Sequence, residues 1–155
     1  AHQRLVAAGR IATLPALEAA QAAGIPIYFI GDDAADGVDD HSALSSLLGL
    51  QTWTDGGFAD SVNVLDPTHP VVHGPYGDVQ GFWCDADMDV ALTIPGTELI
   101  AEQDTTGAPA IAVTDGSTRT AVQLFGAAAS HDTCPQAPDT RTEPLLRNTL
   151  EWLME

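Results

Sequence analysis

The sequence contains no lysine, and its five basic residues are all arginines. Twenty-two acidic residues oppose them, sixteen of which are aspartates, so the formal net charge is −17. Proteins that bind nucleic acids or anionic membranes use clustered lysines and arginines to contact phosphate groups. We therefore expect no nucleic-acid partner for this chain and no attachment to an anionic membrane.

Long apolar runs are also absent. No stretch approaches the roughly 18 apolar residues of a membrane-spanning helix, so we expect no membrane insertion. With 155 residues, 45% hydrophobic content and 14 glycines, the chain has the size and composition of a globular α/β protein. We expect a single domain over residues 1–155 that is an excerpt of a longer chain.

Cysteine is scarce: Cys84 and Cys134 are the two present. Both follow strand-like runs and lie close to aspartates in loop-like surroundings. Two cysteines can form one disulfide, which is typical of exported proteins, whereas two separate thiols are typical of cytosolic ones. The disulfide interpretation favours an extracellular or cell-surface location and leaves a cytoplasmic one open.

The apolar pattern along the chain predicts alternating helices and strands. The segment LPALEAAQAA is typical of a helix that ends at Gly24, and IPIYFI is typical of a strand buried on both faces of a parallel sheet. Near the other end, PAIAVTDGSTRTAVQLF predicts a hairpin with its turn at Asp115 and Gly116. Leucines at helical spacing then predict a closing helix over Pro144–Met154.

The middle of the chain is less regular. There SALSSLLGL predicts a short helix, TWTDGGFAD a turn-rich segment and DPTHPVVHGPYGD a loop, and the further strand candidates are SVNVLD, QGFWC, VALTI and TELIAEQ. The short apolar run from Leu5 to Ala8 predicts a strand, which with the helix over LPALEAAQAA and the strand IPIYFI forms a βαβ unit. We therefore expect a mainly parallel sheet with IPIYFI at its centre and the closing helix packed against one face.

Three segments resemble the class I glutamine amidotransferase-like superfamily. AAGIPIYFIGDDAA is similar to its strand and nucleophile elbow, and LDPTHPVVHG to a segment of its ThuA-like and non-enzymatic branches. PAIAVTDGSTRTAVQLFG followed by LLRNTLEWLME is similar to the closing hairpin and helix of ThuA-like and β-galactosidase trimerisation domains. The resemblance implies an α/β, flavodoxin-like, doubly wound and mainly parallel sheet with a late β-hairpin and a C-terminal helix.

The catalytic positions of that superfamily are occupied by unreactive residues. The resemblance places Gly31 at the nucleophilic cysteine, Phe125 at the histidine and Ala127 at the acid. An elbow nucleophile needs a thiol or a hydroxyl activated by a base, and these three side chains supply none of those groups. The resemblance thus implies a catalytically silent structural or interaction module of a larger exported protein. Its partners would be other domains of the same chain or subunits of an assembly.

Aspartates cluster at two places in the sequence. The first cluster follows IPIYFI and comprises Asp32, Asp33 and Asp36; the second occupies alternate positions and comprises Asp85, Asp87 and Asp89. Because carboxylates are the ligands that Ca²⁺ prefers, each cluster is a candidate calcium site. Neither matches an EF-hand loop, so a hydrated acidic surface is the competing interpretation. We expect no other cofactor.

Two other function classes stay open. One is a ThuA-like enzyme that acts on a sugar through the acidic loop or a bound metal. The other is a calcium-dependent adhesion or carbohydrate-binding module, because aromatic side chains outside helices can stack on sugar rings. The aromatic candidates are Trp53, Phe58, Tyr76, Phe82 and Trp83. Intact catalytic side chains at the elbow would favour an enzyme, and the sequence shows none there.

Overall fold

The computed structural model describes residues 14–30, 42–79, 82–125 and 142–155, with the backbone alone for residues 42, 55–61, 82–87 and 142. Its helices are α1 (residues 14–22), α2 (Ser42–Leu47) and α3 (Thr142–Met154). Its strands are β1 (Ile27–Ile30), β2 (Leu50–Val64), β3 (His73–Gly74), β4 (Gly77–Asp78), β5 (Phe82–Thr93), β6 (Glu98–Gln103), β7 (Pro109–Asp115) and β8 (Arg119–Gln123). The fold is thus a mixed α/β one with a C-terminal helix.

One six-stranded sheet, in the order β1-β8-β7-β6-β2-β5, organises the described residues, and β3 and β4 form a separate small hairpin. Strand β1 pairs with β8 in parallel, whereas the other four pairings of the large sheet are antiparallel. The expectation of a mainly parallel sheet was therefore wrong for these strands, and a flavodoxin-like fold is not confirmed. Short connections explain the difference, because β6, β7 and β8 follow one another too closely for the crossovers that parallel neighbours require.

Strand β1 occupies the end of the described sheet rather than its centre, so this expectation was also wrong. Its side chains nevertheless alternate between two cores: Ile27 and Phe29 pack on one face, and Tyr28 packs on the other. The apolar run IPIYFI correctly indicated burial on two faces. It could not indicate which strands lie beside it, because sheet order is decided by long-range pairing with β8.

Two hydrophobic cores lie on the two faces of the sheet. The α3-side core includes Val62, Val71, Ile100, Ala121, Phe125, Leu145 and Trp152. The α2-side core comprises Ile27, Leu48, Leu50, Trp53, Ala91, Val122 and Leu124, with Leu17 of α1 and Leu44 of α2 packed against it. Both faces of the β1–β8 pair are thus covered, as in layered α/β proteins.

Several local predictions were confirmed. Helix α1 ends at Gly24, whose φ of 74° is the left-handed conformation that glycine adopts most easily. The hairpin of β7 and β8 and the closing helix α3 are present as expected, and TELIAEQ contains β6. Among the described residues, no helix combines the length and apolar character that a membrane span needs.

The segment TWTDGGFAD was predicted to be turn-rich and instead lies within β2. Its partner β5 is also long, and the pairing continues through register shifts between Thr54 and Gly57 and between Gly57 and Ala59. Such bulges let a strand absorb extra residues without ending. The glycines suggest a turn by their residue type, but here they mark irregularities within a strand.

Asn148 of α3 fastens the β3–β4 hairpin to the rest of the domain. Its Oδ1 accepts the backbone N–H of Tyr76 at 3.1 Å, and its Nδ2 donates to the carbonyl of Gly77 at 2.9 Å. Asn148 is 1% exposed. The backbone at Gly74 approaches so closely that a Cβ there would collide with the Asn148 side chain and with the Pro70 carbonyl. The segment DPTHPVVHGPYGD, which was predicted to be a loop, therefore ends in a short hairpin that one buried amide holds in place.

We predict that Asn148→Ala destabilises the domain by about 1–3 kcal/mol, because the substitution removes the buried amide that bonds to the Tyr76 N–H and the Gly77 carbonyl. Chemical denaturation monitored by circular dichroism measures the loss. Glu151→Ala on the same helix is the matched control and is expected to change stability by less than about 0.5 kcal/mol. Equal stability of the two variants would contradict the role of Asn148.

Candidate functional site

The carboxyl ends of β1 and β8 lie side by side, with Ile30 paired to Gln123. The chain continues from this edge into residues 31–41 and 126–141, whose structure is not described. Ligands of α/β sheets bind outside the carboxyl ends of parallel strands, so this edge is the candidate site. Two groups of buried polar side chains lie there.

The first group joins Tyr28 to Gln123 on the face covered by α3. The Tyr28 hydroxyl donates to Gln123 Oε1 at 2.7 Å, and Gln123 Nε2 donates to the Phe125 carbonyl at 3.2 Å. Burial raises the pKa of Tyr28 to about 12, and a hydrogen bond with the Thr149 side chain opposes this shift. Tyr28 therefore remains protonated at neutral pH and serves as the donor that orients Gln123.

The second group is centred on Asp89, which is 1% exposed. Trp53 Nε1 donates to Asp89 Oδ2 at 2.7 Å, and the backbone N–H of Asp89 donates to the Leu124 carbonyl at 3.2 Å. Gln103 Nε2 donates to the Asp89 carbonyl, and the Thr106 hydroxyl donates to Gln103 Oε1, each at 2.8 Å. This group ties β5 to the ends of β6 and β8.

Within each group, the polar side chains and the backbone groups are hydrogen-bonded to one another. A nucleophilic centre needs a thiol or hydroxyl held against a base, and the two described histidines, His69 and His73, belong to neither group. Buried polar groups that bond to one another fix the packing of the strands around them. In the described part of this edge, these hydrogen bonds hold the strands in place.

Phe125 is the one described residue among the three superfamily positions. Its side chain is 2% exposed and packs in the α3-side core, while its carbonyl accepts the Gln123 amide. Gly31 and Ala127 lie outside the described residues. At the position where the resemblance expects a histidine, the chain therefore places a core side chain.

The structure describes the two predicted aspartate clusters to different extents. Residues 32–36 lie outside the described residues, and Asp85 and Asp87 are described by backbone alone, within β5. The Asp89 carboxylate points into the protein and accepts the Trp53 indole N–H. Within the described ranges, no three His, Cys, Asp or Glu side chains group as metal ligands. The calcium prediction thus stays untested.

The cysteine pair stays a prediction as well. Cys84 lies in β5, where the backbone alone is described, and Cys134 lies outside the described residues. Of the sugar-stacking candidates, Trp53 is 4% exposed and belongs to the α2-side core, so its ring is not available for stacking. Tyr76 is 44% exposed, on the β3–β4 hairpin.

The residues predicted for a site from the sequence do not include Tyr28, Gln123 or Gln103. A signal was present at Tyr28, whose hydroxyl lies in the otherwise apolar strand β1 and needs a partner when buried. Gln103 and Gln123 end strands that contain other polar residues, so they do not stand out. The partner itself was not readable, since Tyr28 and Gln123 are 95 positions apart. Asp89 was predicted as a metal ligand, and its carboxylate accepts a hydrogen bond from the Trp53 indole.

A second cluster lies near the amino end of β8, where His69 and Arg119 both contact the ring of Trp152. The His69 ring centroid lies 5.4 Å from that of Trp152, and the Arg119 guanidinium lies 4.9 Å from the Trp152 ring centroid. Arg119 also donates to the Trp152 carbonyl and, at 3.0 Å, to Asp115. A cation at this end of α3 interacts favourably with the last carbonyls of the helix.

His69 is held in its uncharged form by its surroundings. Its Nδ1 accepts the backbone N–H of Val71 at 3.2 Å, which requires that this nitrogen carry no proton. Burial lowers the pKa of His69, and the charge on Arg119 adds to the shift. The carboxylates that oppose it are those of Glu98, Asp66 and Asp115. His69 and Pro70 thus lie in a turn.

Solved structures show what this chain is similar to. It is similar to the cytoplasmic protein STM3548 from Salmonella typhimurium, with a TM-score of 0.58 and 16% identity. The N-terminal domain of mmIFT52 is also similar, with a TM-score of 0.60 and 12% identity. The match covers 89% of this chain and 60% of the first structure, and 92% of this chain and 71% of the second. At these identities the likeness shows a shared fold alone.

The chain thus spans about three fifths of the length of the Salmonella protein. No protein-family model matches the sequence, and no curated protein is similar to it.

We predict that Tyr28→Phe lowers the free energy of unfolding by about 1–3 kcal/mol, because Gln123 Oε1 loses its phenolic donor at a buried position. Urea denaturation measures the change. Tyr76→Phe removes the same hydroxyl at an exposed position and is expected to be neutral within about 0.5 kcal/mol. A neutral Tyr28→Phe would show that the bond to Gln123 contributes nothing to stability.

We also predict that His69 makes stability depend on pH. Burial holds the folded-state pKa of His69 below its ordinary value of 6.5, so the unfolded chain binds the proton first as the pH falls. The contribution of His69 is therefore complete above pH 6.5 and is lost as the pH falls through the folded-state pKa. In His69→Asn, the amide oxygen can accept the Val71 N–H and does not titrate.

Melting temperatures at about pH 7.5 and about pH 5.5 test this dependence. The wild type is expected to lose more stability over this interval than His69→Asn, since the variant lacks the titrating ring. His73→Asn, which removes an exposed histidine, is the control for the loss of an imidazole. An identical pH dependence of the wild type and His69→Asn would contradict the prediction.

Proposed function

We propose that this chain is a catalytically silent, amidotransferase-like α/β domain that serves as a structural or interaction module of a larger assembly. Its partners in this proposal are other domains of the same chain or neighbouring subunits. An exported location belongs to the same proposal and depends on the pairing of Cys84 with Cys134.

The burial of Phe125 is the observation that carries the proposal. In the resemblance this residue takes the position of the catalytic histidine, which must reach an open site. Its side chain is instead 2% exposed and packed against the α3-side core. A residue placed in this way contributes to stability and cannot move protons.

The polar network at the same edge supports the proposal. Tyr28 and Gln123 satisfy one another, and Asp89 accepts the indole N–H of Trp53. Catalytic groups are usually left with unsatisfied or strained interactions, since they must bind a substrate. Here the described polar groups instead stabilise the junction between β8, β5 and β6.

The relationship to doubly wound proteins is also part of the proposal. The parallel pair of β1 and β8 has helices over both faces, which is the arrangement at the centre of such folds. One structural neighbour is described as an N-terminal domain, so this fold occurs as one part of a longer protein. Both points are compatible with a module inside a larger chain.

The proposal predicts that the chain does not hydrolyse glutamine. Ammonia release from glutamine is measured for the wild type and for the double variant Cys84→Ser/Cys134→Ser, which lacks both thiols. The expected rate for each is the rate without protein, because Gly31, Phe125 and Ala127 supply neither a thiol nor a base at the three positions that the resemblance names. Release that the wild type shows and the double variant loses would overturn the proposal.

Phe125→His is the complementary variant, because it restores the residue that the resemblance expects. It is expected to lower stability by about 3 kcal/mol or more, since a polar ring replaces a buried phenyl group, and to gain no activity. Phe125→Leu is the matched control and keeps the position apolar. A stable Phe125→His variant that released ammonia would show that the site is open.

A further inference from the structure

Helix α3 carries two apolar stripes, and the sheet covers one of them. The inward stripe includes Leu145, Trp152 and Leu153, all buried in the α3-side core. The outward stripe consists of Leu146, Leu150 and Met154, which are 38%, 44% and 75% exposed. Residues four positions apart lie on one face of a helix, so these three side chains form a continuous row.

The outward stripe lies away from the elements that flank α3. Asn148 and Arg147 contact the β3–β4 hairpin through Gly77 and Tyr76. Leu146 is two positions from Asn148, which places it on roughly the opposite side of the helix at 100° per residue. Within the described ranges, the stripe therefore has no covering element.

The charges beside the stripe are mostly negative. Glu143 and Glu151 lie on α3, Glu155 follows its last residue, and Arg147 pairs with Glu143 at 2.7 Å. Glu155 lies 3.8 Å from Arg119, and Glu151 has no ion-pair partner in the described part of the chain. An apolar row bordered by carboxylates is complementary to a helix that has leucines on one side and basic residues beside them.

We propose that the stripe of Leu146, Leu150 and Met154 docks a basic amphipathic helix of a partner protein. The inference rests on the proposed function as an interaction module and names the partner's chemistry. A second copy of this chain fits poorly, because each copy carries a net charge of −17 and the two would repel one another. An anionic membrane surface is disfavoured for the same reason.

A synthetic helical peptide of about 18 residues tests the proposal. It carries leucines at positions i, i+3, i+4 and i+7 with lysines and arginines beside them, and a peptide of identical composition in scrambled order controls for charge alone. Binding of each peptide to the full chain is measured by fluorescence anisotropy. The scrambled peptide separates docking on the stripe from general attraction to an acidic protein.

The protein variants are also matched. Leu146→Ser/Leu150→Ser removes two exposed leucines from the stripe, and Leu65→Ser/Leu92→Ser removes two from elsewhere, where they are 47% and 55% exposed. The expected result is binding by the wild type and by the second variant. The stripe variant should bind at least about tenfold more weakly, with an unchanged melting temperature.

Four results would overturn the proposal. The scrambled peptide could bind equally well, or the two double variants could bind alike. A fall in the melting temperature of the stripe variant alone would show that the chain itself covers the stripe, and a dimer that the stripe variant abolishes would make the partner a second copy. None of these results bears on ammonia release from glutamine, so failure here is distinguishable from failure of the proposed function.

Discussion

Burial of β8 on both faces is the constraint on which the rest of the domain depends. Every residue from Thr120 to Phe125 is at most 3% exposed, because β1 and β7 flank the strand and side chains cover it on both sides. A polar group on such a strand must find its partner inside the protein. Gln123 does so through Tyr28, and the Leu124 carbonyl through Asp89. The Thr120 hydroxyl is the exception, since none of the described residues bonds to it.

The same constraint shapes the carboxyl end of β8. Ligands of α/β sheets bind outside the carboxyl ends of parallel strands, and in the described part of this end Gln123 bonds to Tyr28 and the Leu124 carbonyl accepts the Asp89 N–H. Phe125 extends the hydrophobic core to that end. The described outer surface carries the exposed leucines of α3.

Prediction from the sequence succeeded where neighbours along the chain decide the structure. Helix α1 and its end at Gly24, the β7–β8 hairpin and helix α3 all follow from periodicity and turn residues over short distances. Prediction failed where distant segments decide it. The glycines of TWTDGGFAD suggested a turn, because their pairing with β5, some 30 residues away, cannot be inferred from the neighbouring residues. The polar residues of the site were overlooked for the same reason, since Gln123 is tolerable only beside Tyr28.

By itself, the sequence determined the class of the protein: an acidic α/β domain with a strand buried on two faces, a late hairpin and an amphipathic closing helix. Local propensity, apolar periodicity and net charge are properties of short segments or of the whole composition, so they can be read without a structure. The tertiary structure alone decided that β1 pairs with β8 and that the sheet is mostly antiparallel. It also decided that Asp89 binds an indole and that Phe125 belongs to the core. These outcomes depend on contacts between residues far apart in the chain, and such contacts form only when the whole domain folds.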